Sequence, residues 1–326
     1  MKRVLSSLAL TGLFAVLVHA DPVNDIPKRT SEFKSYVSKV KAKLSPKAFA
    51  NPAKRAEFDK SLAELGQQVG DFAKFADELG DGDLLSQAHA TNARQSLGEG
   101  YMLLAESAWN GCDYQTVQET ADLAKEVVAK DSDRTKLLFW KAMAQVRLVR
   151  MTDAEATCQE LGKSGGAKAA GQVLALAKNK TGDSKPGKPI TSFGFRGVAG
   201  EKVAVPEAHT GRVVLIDFWA TWCGPCKDEM PNVIALYNEL HEKGFDIVGI
   251  SLDTDVESLK AYVAENKMPW PQYFDGLKWD NHISKYFGVK GIPHTILIDK
   301  TGSVKAVDLR GPDLDKEVRE LLGIKK

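Results

Sequence analysis

The sequence is short of cysteine. Four in 326 residues cannot make the dense disulfide framework that holds small secreted folds together. It is also short of net charge: 44 Lys and Arg stand against 43 Asp and Glu, leaving +1. That balance gives no basic footprint for nucleic acid and excludes that class of partner. Long apolar runs are missing too. The longest, Val4–Val18, falls short of the ~20 residues a membrane-spanning helix needs. What remains is ordinary globular composition, 43% hydrophobic and 27% charged, in a chain long enough for two domains.

The N-terminus has the three parts of an export signal. Lys2 and Arg3 precede the apolar Val4–Val18, and Val18-His19-Ala20 is a small-residue cleavage site before the polar Asp21-Pro22. Residues 1–20 therefore read as a signal peptide, cleaved rather than kept as an anchor. No cysteine follows the apolar run, so a lipid anchor is not expected. Export places the chain in the periplasm or a comparable compartment, where disulfides persist.

Residues 21–180 read as an all-helical accessory domain, rich in Ala, Leu, Glu, Gln and Lys with few β-branched runs. Breakers at Ser45-Pro46, Asn51-Pro52, Gly80-Asp81-Gly82, Asn110-Gly111, Asp131-Ser132 and Gly165-Gly166 separate segments with helical apolar spacing. Leu62, Leu65, Val69, Phe72, Phe75 and Leu79 form one stripe. Leu123, Val127 and Val128 form a second, followed by Leu137, Leu138 and Ala142. A faint recurrence of Ala105–Tyr114 at Ala142–Met151 resembles the ~34-residue tetratricopeptide helix pair, a TPR-like reading that competes with a plain bundle. The polar run Lys178–Pro189, rich in Lys, Gly and Pro, supplies a linker at 181–189.

Residues 190–326 change pattern. Strands are expected at Arg212–Trp219, Phe245–Ser251, His294–Asp299 and Ser303–Asp308, the last two joined by a turn at Lys300-Thr301-Gly302. Helices are expected at Gly224–His241, Val256–Asn266 and Asp313–Leu322. Strands alternating with helices before a terminal hairpin predict an α/β sandwich on a mixed sheet.

Cys223 and Cys226 stand at a strand-to-helix junction. Unpaired backbone N–H groups and the dipole at a helix start stabilise a thiolate at Cys223, with a pKa near ~7 rather than about 8.5. Cys226 lies one turn on, near enough to close a redox disulfide. Gly224 and Pro225 suit the tight first turn, where a missing N–H does no harm. Such a dithiol attacks a partner's disulfide through Cys223 and resolves the mixed disulfide through Cys226. A structural zinc site needs four ligands, and His209, His241, His282 and His294 show no paired spacing, so no metal is expected. Haem attachment needs a His where Lys227 stands, and no other cofactor is called for. A purely structural bridge across two residues removes little chain entropy. Cys112 and Cys158 either pair with each other or serve as small core residues.

The segment VLIDFWATWCGPCKDEMP (214–231) closely resembles the active-site segment of thioredoxin-fold reductases. It is most similar to the exported TlpA/ResA-type subfamily, also called the redoxin or AhpC/TSA-related group. FGVKGIPHTILIDKTG (287–302) resembles the family's second signature. The resemblance covers about residues 188–326. It implies a thioredoxin-like C-terminal domain, a mixed central sheet flanked by helices, following the all-α N-terminal domain.

It also implies roles. Cys223 corresponds to the nucleophile, Cys226 to the resolving thiol and Pro293 to a cis-proline facing the disulfide. The backbone of Ile292 would pair with an incoming substrate strand, and Trp222 flanks the nucleophile. Asp217 and Glu229 compete as the acid that takes the proton from Cys226. Asp217 is favoured, because one charge in an apolar strand needs a reason.

The chain departs from plain thioredoxin over Asp253–Phe287, an insertion in which Trp270 and Trp279 either line the region near the active site or, the favoured reading, pack as core residues. The peroxidatic P-x-x-x-T-x-x-C signature is absent, so peroxidase activity is not expected. Gly-Pro between the cysteines and Ile292 before Pro293 resemble reducing members. The expected partners are protein disulfides and an upstream membrane dithiol donor. The rival reading makes the helical domain an adaptor that binds a protein partner, with the thioredoxin-like domain secondary.

Overall fold

The computed structural model describes residues 22–45, 48, 54–79, 84–177, 182 and 184–324. The expected export signal lies outside them, as does part of the expected linker. The chain packs as two compact units: Met1–Gly111 with Thr116–Trp140, and Cys112–Gln115 with Lys141–Lys326.

The first unit is helical. Its principal helices are α1 (Pro22–Val40), α2 (Arg55–Asp77) and α3 (Leu84–Asn110). The stripe Leu62, Leu65, Val69, Phe72, Phe75 and Leu79 is buried throughout. Each such side chain contributes roughly 1.5–3 kcal/mol by leaving water. Phe33 of α1 stacks on Phe72 with centroids 4.1 Å apart. The close approach needs Gly100 in α3, since a Cβ there would lie 2.6 Å from the Phe33 ring. The second stripe departs from expectation. Helix α4 (Tyr114–Ala124) buries Val117, Ala121 and Ala124, while Leu123 is 51% exposed. The helix stops at Ala124; Val127 lies in the turn that follows, and Val128, just past it, is buried. Helix α5 (Asp131–Arg147) follows.

The second unit includes helices α6 (Met151–Leu161) and α7 (Ala167–Ala177), joined through Gly165 at φ +87. Val149, Met151, Ala154 and Ala177 share one core with the sheet. A hairpin of β1 (Phe193–Arg196) and β2 (Lys202–Val205) precedes β3 (Val213–Trp219), α8 (Gly224–Leu240), β4 (Phe245–Ser251) and α9 (Val256–Glu265). Then come β5 (Gln272–Tyr273), α10 (His282–Tyr286), β6 (His294–Ile298), β7 (Val304–Val307) and α11 (Gly311–Leu322).

The five-stranded sheet runs β5-β4-β3-β6-β7. β4 is parallel to β3 and β5; β6 is antiparallel to β3 and β7. All seven residues of β3 are buried, as a continuous apolar run in a central strand requires. Helices α8 and α11 pack together and against the sheet. This is the thioredoxin-like mixed sheet flanked by helices.

The segment before β1 is held to this unit. Gly182 donates its N–H to Tyr286 O at 2.7 Å, Gly187 donates to Val304 O, and Val304 donates to Lys188 O, both at 2.8 Å. Ile190 donates to Gly302 O at 2.9 Å. Among the described residues, no helix is long and apolar enough to cross a membrane.

Candidate active site

The site forms where β3 hands over to α8. Leu252 donates its N–H to Trp219 O at 2.9 Å, tying the ends of β3 and β4 together. The buried Asp253 carboxylate then accepts from the Thr221 N–H at 3.1 Å and the Thr221 hydroxyl at 2.7 Å. It also accepts from the Ser251 hydroxyl at 2.8 Å. These bonds fix the loop that presents the two cysteines.

Cys223 is the N-cap of α8. Its Sγ accepts the Cys226 N–H at 3.2 Å, which gives one unsatisfied donor of the first turn a sulfur partner. Cys223 and Cys226 are joined by a disulfide. Cys223 keeps 5% of its surface and Cys226 2%, so the first cysteine is the more accessible. Pro225 lies in the first helical turn. A Cβ at Gly224 would meet nothing within 4 Å, so crowding does not demand glycine there.

Beneath Cys226 lies a cavity of about 10 Å³, lined among others by Asp217, Glu229, Pro293, Thr295 and Arg310. That is the lower limit of space for one water molecule, about 10–15 Å³. Burial pushes the Asp217 carboxyl up to about 7. The negative charge of Glu229 adds to the shift, and the Arg310 guanidinium partly offsets it. Glu229 itself is half-buried and engaged. Its Oε1 accepts the Gly311 N–H at 2.6 Å, and its Oε2 accepts from the Asn232 amide at 3.1 Å. Both acids singled out from the sequence thus face one cavity.

The Ile292–Pro293 peptide bond is cis. The Pro293 carbonyl accepts from the Arg310 guanidinium. Next to it, His294 Nδ1 lies 2.6 Å from Asp308 Oδ1. An open groove of about 950 Å³ passes Pro225, Ile292 and Pro293.

Trp222 is 44% exposed. Its indole meets the edge of Trp279 with centroids 5.9 Å apart, and Lys278 Nζ sits 5.2 Å from the Trp222 ring centroid. Trp270 is buried, whereas Trp279 is 42% exposed. Trp279 therefore joins the active-site rim rather than the core, because the insertion turns outward through Gly276 and Lys278, both at positive φ.

Two residues at this site carry no signal in the sequence. Arg310 reads as a surface base before a helix, yet it touches both the cavity and the cis-proline loop. Asp253 reads as one acid in a polar turn. Cys112 and Cys158 form no disulfide, and burial raises the Cys158 thiol pKa. Among the described residues, no group of three or more His, Cys, Asp or Glu is arranged to hold a metal ion.

Residues 186–307 match the AhpC/TSA family. The thiol-disulfide oxidoreductase ResA of Bacillus thuringiensis is 31% identical over 136 residues, covering 42% of this chain and 76% of that protein. A probable nucleoredoxin 1 of Arabidopsis thaliana is 37% identical over 107 residues, 32% of this chain and 18% of that protein. Among solved structures, the thioredoxin domain of a Bacteroides vulgatus thiol-disulfide oxidoreductase shares 30% identity. It covers 42% of this chain and 98% of that one, at a TM-score of 0.39.

Proposed function

The chain belongs to the thioredoxin-like thiol-disulfide oxidoreductases of the ResA/TlpA type, related to AhpC/TSA proteins, and from that membership we propose that it is an exported reductase of protein disulfides. The observation that carries the proposal is the Cys223 sulfur capping α8 while it accepts a backbone N–H. The same position stabilises a thiolate once the pair is reduced.

In the proposed cycle the Cys223 thiolate attacks one sulfur of a substrate disulfide. A Cys223–substrate bond forms, the substrate S–S bond breaks, and the first substrate sulfur leaves as a thiolate. Cys226 then gives its proton to the Asp217 carboxylate and attacks Cys223 Sγ. The second substrate thiolate leaves and the Cys223–Cys226 disulfide closes. Two electrons have passed to the substrate, and an upstream membrane dithiol donor restores the enzyme.

Three facts support Asp217 as the proton acceptor: it is buried, it shares a cavity with Cys226, and its carboxyl titrates near neutrality. Glu229 acts through it, by its charge. Ile292 and Pro293 offer backbone to the substrate strand, with Trp222, Gly224 and Pro225 around the nucleophile. The export reading rests on residues 1–20. We assign catalysis to 190–326 and the holding of a protein partner to the helical stretch 21–180, with 181–189 as a connection that is itself bonded along the catalytic unit.

The test uses the full chain with insulin as substrate. Cys223→Ser should abolish reduction, and Cys226→Ser should accumulate mixed disulfides that thiol treatment releases. Turnover retained by Cys223→Ser overturns the proposal.

A further inference from the structure

We propose that His294, held by Asp308, is the general base for the half-reaction that recharges the enzyme: it takes the proton from the upstream donor's thiol as that thiol attacks the Cys223–Cys226 disulfide. The inference rests on the reductase reading above and gives a residue to a step that reading leaves without one.

His294 opens β6 directly after the cis-proline. The open groove of about 950 Å³ takes in His294, Pro293 and Ile292 together with Pro225, which stands between the two cysteines in sequence. A donor segment lying along Ile292 and Pro293 therefore meets both the redox loop and the imidazole. His294 is the one titratable side chain of β6. It is half-buried, with its ring on that of Phe218 at a centroid distance of 5.5 Å.

Its Nδ1 lies 2.6 Å from Asp308 Oδ1. A carboxylate only accepts, so Nδ1 carries the hydrogen, and in the neutral ring Nε2 keeps its lone pair. Among the described residues the His294 side chain makes no other hydrogen bond. An imidazole with one nitrogen tied to a carboxylate and the other open is the arrangement that activates thiol and hydroxyl nucleophiles. As a fastening the pair does little, because Asp308 is exposed. The other charged groups lining the groove are Lys185, Lys290 and Arg310, the last turned onto the Pro293 carbonyl. Cations offer no lone pair, which leaves the proton to His294.

Asp217 serves a different sulfur. In the β3–β6 register Asp217 stands opposite Thr295 and Phe218 opposite His294, so Asp217 and His294 lie on opposite faces of the sheet. The recharging step then balances. The donor thiol gives its proton to His294 Nε2, its sulfur bonds to Cys223 Sγ, and the Cys223–Cys226 bond breaks. Cys226 leaves with the electron pair and takes back the proton held by Asp217. The donor's second thiol displaces Cys223, the donor becomes a disulfide, and His294 releases its proton to water.

The experiment reduces the oxidised full-length protein and follows the freed thiols by alkylation. Dithiothreitol must lose a proton to attack; the neutral tris(2-hydroxypropyl)phosphine attacks sulfur with none to lose. At pH 7, His294→Ala should react with dithiothreitol about tenfold more slowly than wild type. The gap should close near pH 10, where alkyl thiols, with a pKa of about 8.5, ionise unaided. The phosphine should reduce both proteins at one rate. Asp308→Asn keeps an oxygen for Nδ1 but not the charge, and its dithiothreitol rate should fall between the two. Equal dithiothreitol rates for wild type and His294→Ala at pH 7 overturn the inference. A loss that persists at pH 10, or that the phosphine shares, marks a structural role and overturns it too. Either result leaves the reductase reading standing as long as the reduced wild type still reduces insulin; failure there overturns that reading separately.

Discussion

A buried carboxylate and a half-buried one sit on neighbouring parallel strands of one sheet and have opposite fates. Asp217 of β3 pairs in register with Gly249, and Asp246 of β4 with Val214, so they lie about 10 Å apart along the strands. Burial pushes both upward. At Asp246 the push is overcome by hydrogen bonds from His209 at 2.8 Å and Arg212 Nε at 2.7 Å, and by their charges, so its pKa falls below the ordinary value of 3.8. His241 Nδ1 lies 3.0 Å from its other oxygen. Asp217 has no ion-pair partner of this kind among the described residues, and a like charge, Glu229, faces it. A carboxylate surrounded by donors is a fastening. One left without them, beside a thiol that must lose a proton, is poised for transfer.

Asp217→Asn tests the difference most severely. Turnover at neutral pH should fall about 100-fold, and a drop of less than threefold would break the contrast. Stability should respond as well. The folded pKa is raised, so the wild-type contribution is complete below pH 3.8 and is lost as pH rises through about 7. The loss amounts to at most about 4 kcal/mol. Urea unfolding from pH 4 to 8 should show wild type losing ground to the variant; a pH-independent gap refutes it.

Asp246→Asn should act in the other sense. It should cost about 2 kcal/mol at pH 7 by leaving Arg212 short of an acceptor. Because the folded pKa is lowered, that stability exists above pH 3.8 and disappears as pH falls through the native value. The gap between wild type and variant should close in acid, with turnover little changed.

Glu229→Gln gives the smallest effect and the sharpest one. The amide oxygen can still accept the Gly311 N–H, but the like charge is gone, so the inflection of the kcat–pH profile should move to lower pH. An unmoved or raised inflection removes Glu229 from the account of Asp217.

The sequence made these features legible unevenly. β3, β4 and β6 are long apolar runs, and their expected limits lie within a residue of those seen. Asp217 stood out as the lone charge in one of them. The β1–β2 hairpin, β5 and α10 escaped notice because four-, two- and five-residue elements carry too few positions to show a period. Their places are set by tertiary partners, such as the Trp219 indole N–H donating to Gln272 Oε1 at 3.0 Å. The same holds for the Glu229–Gly311 bond, which spans 82 positions. Leu123 and Trp279 look apolar enough to be core, but composition alone does not say which way a short helix or a turned-out loop will face.

The hydrogen bonds from residues 187–190 to the Gly302–Val304 region have a consequence for how the molecule keeps to itself. β7 is an outer strand, and a bare outer strand offers a template on which another copy can grow. Here the chain's own incoming segment occupies that rim, and Pro189, bridged to Ser303, has no N–H to extend the ladder outward. A stretch that reads as a mere tether is thus a stopper against self-association. A chain trimmed to start at Ile190 would uncover the Val304 amide and carbonyl and tend to precipitate.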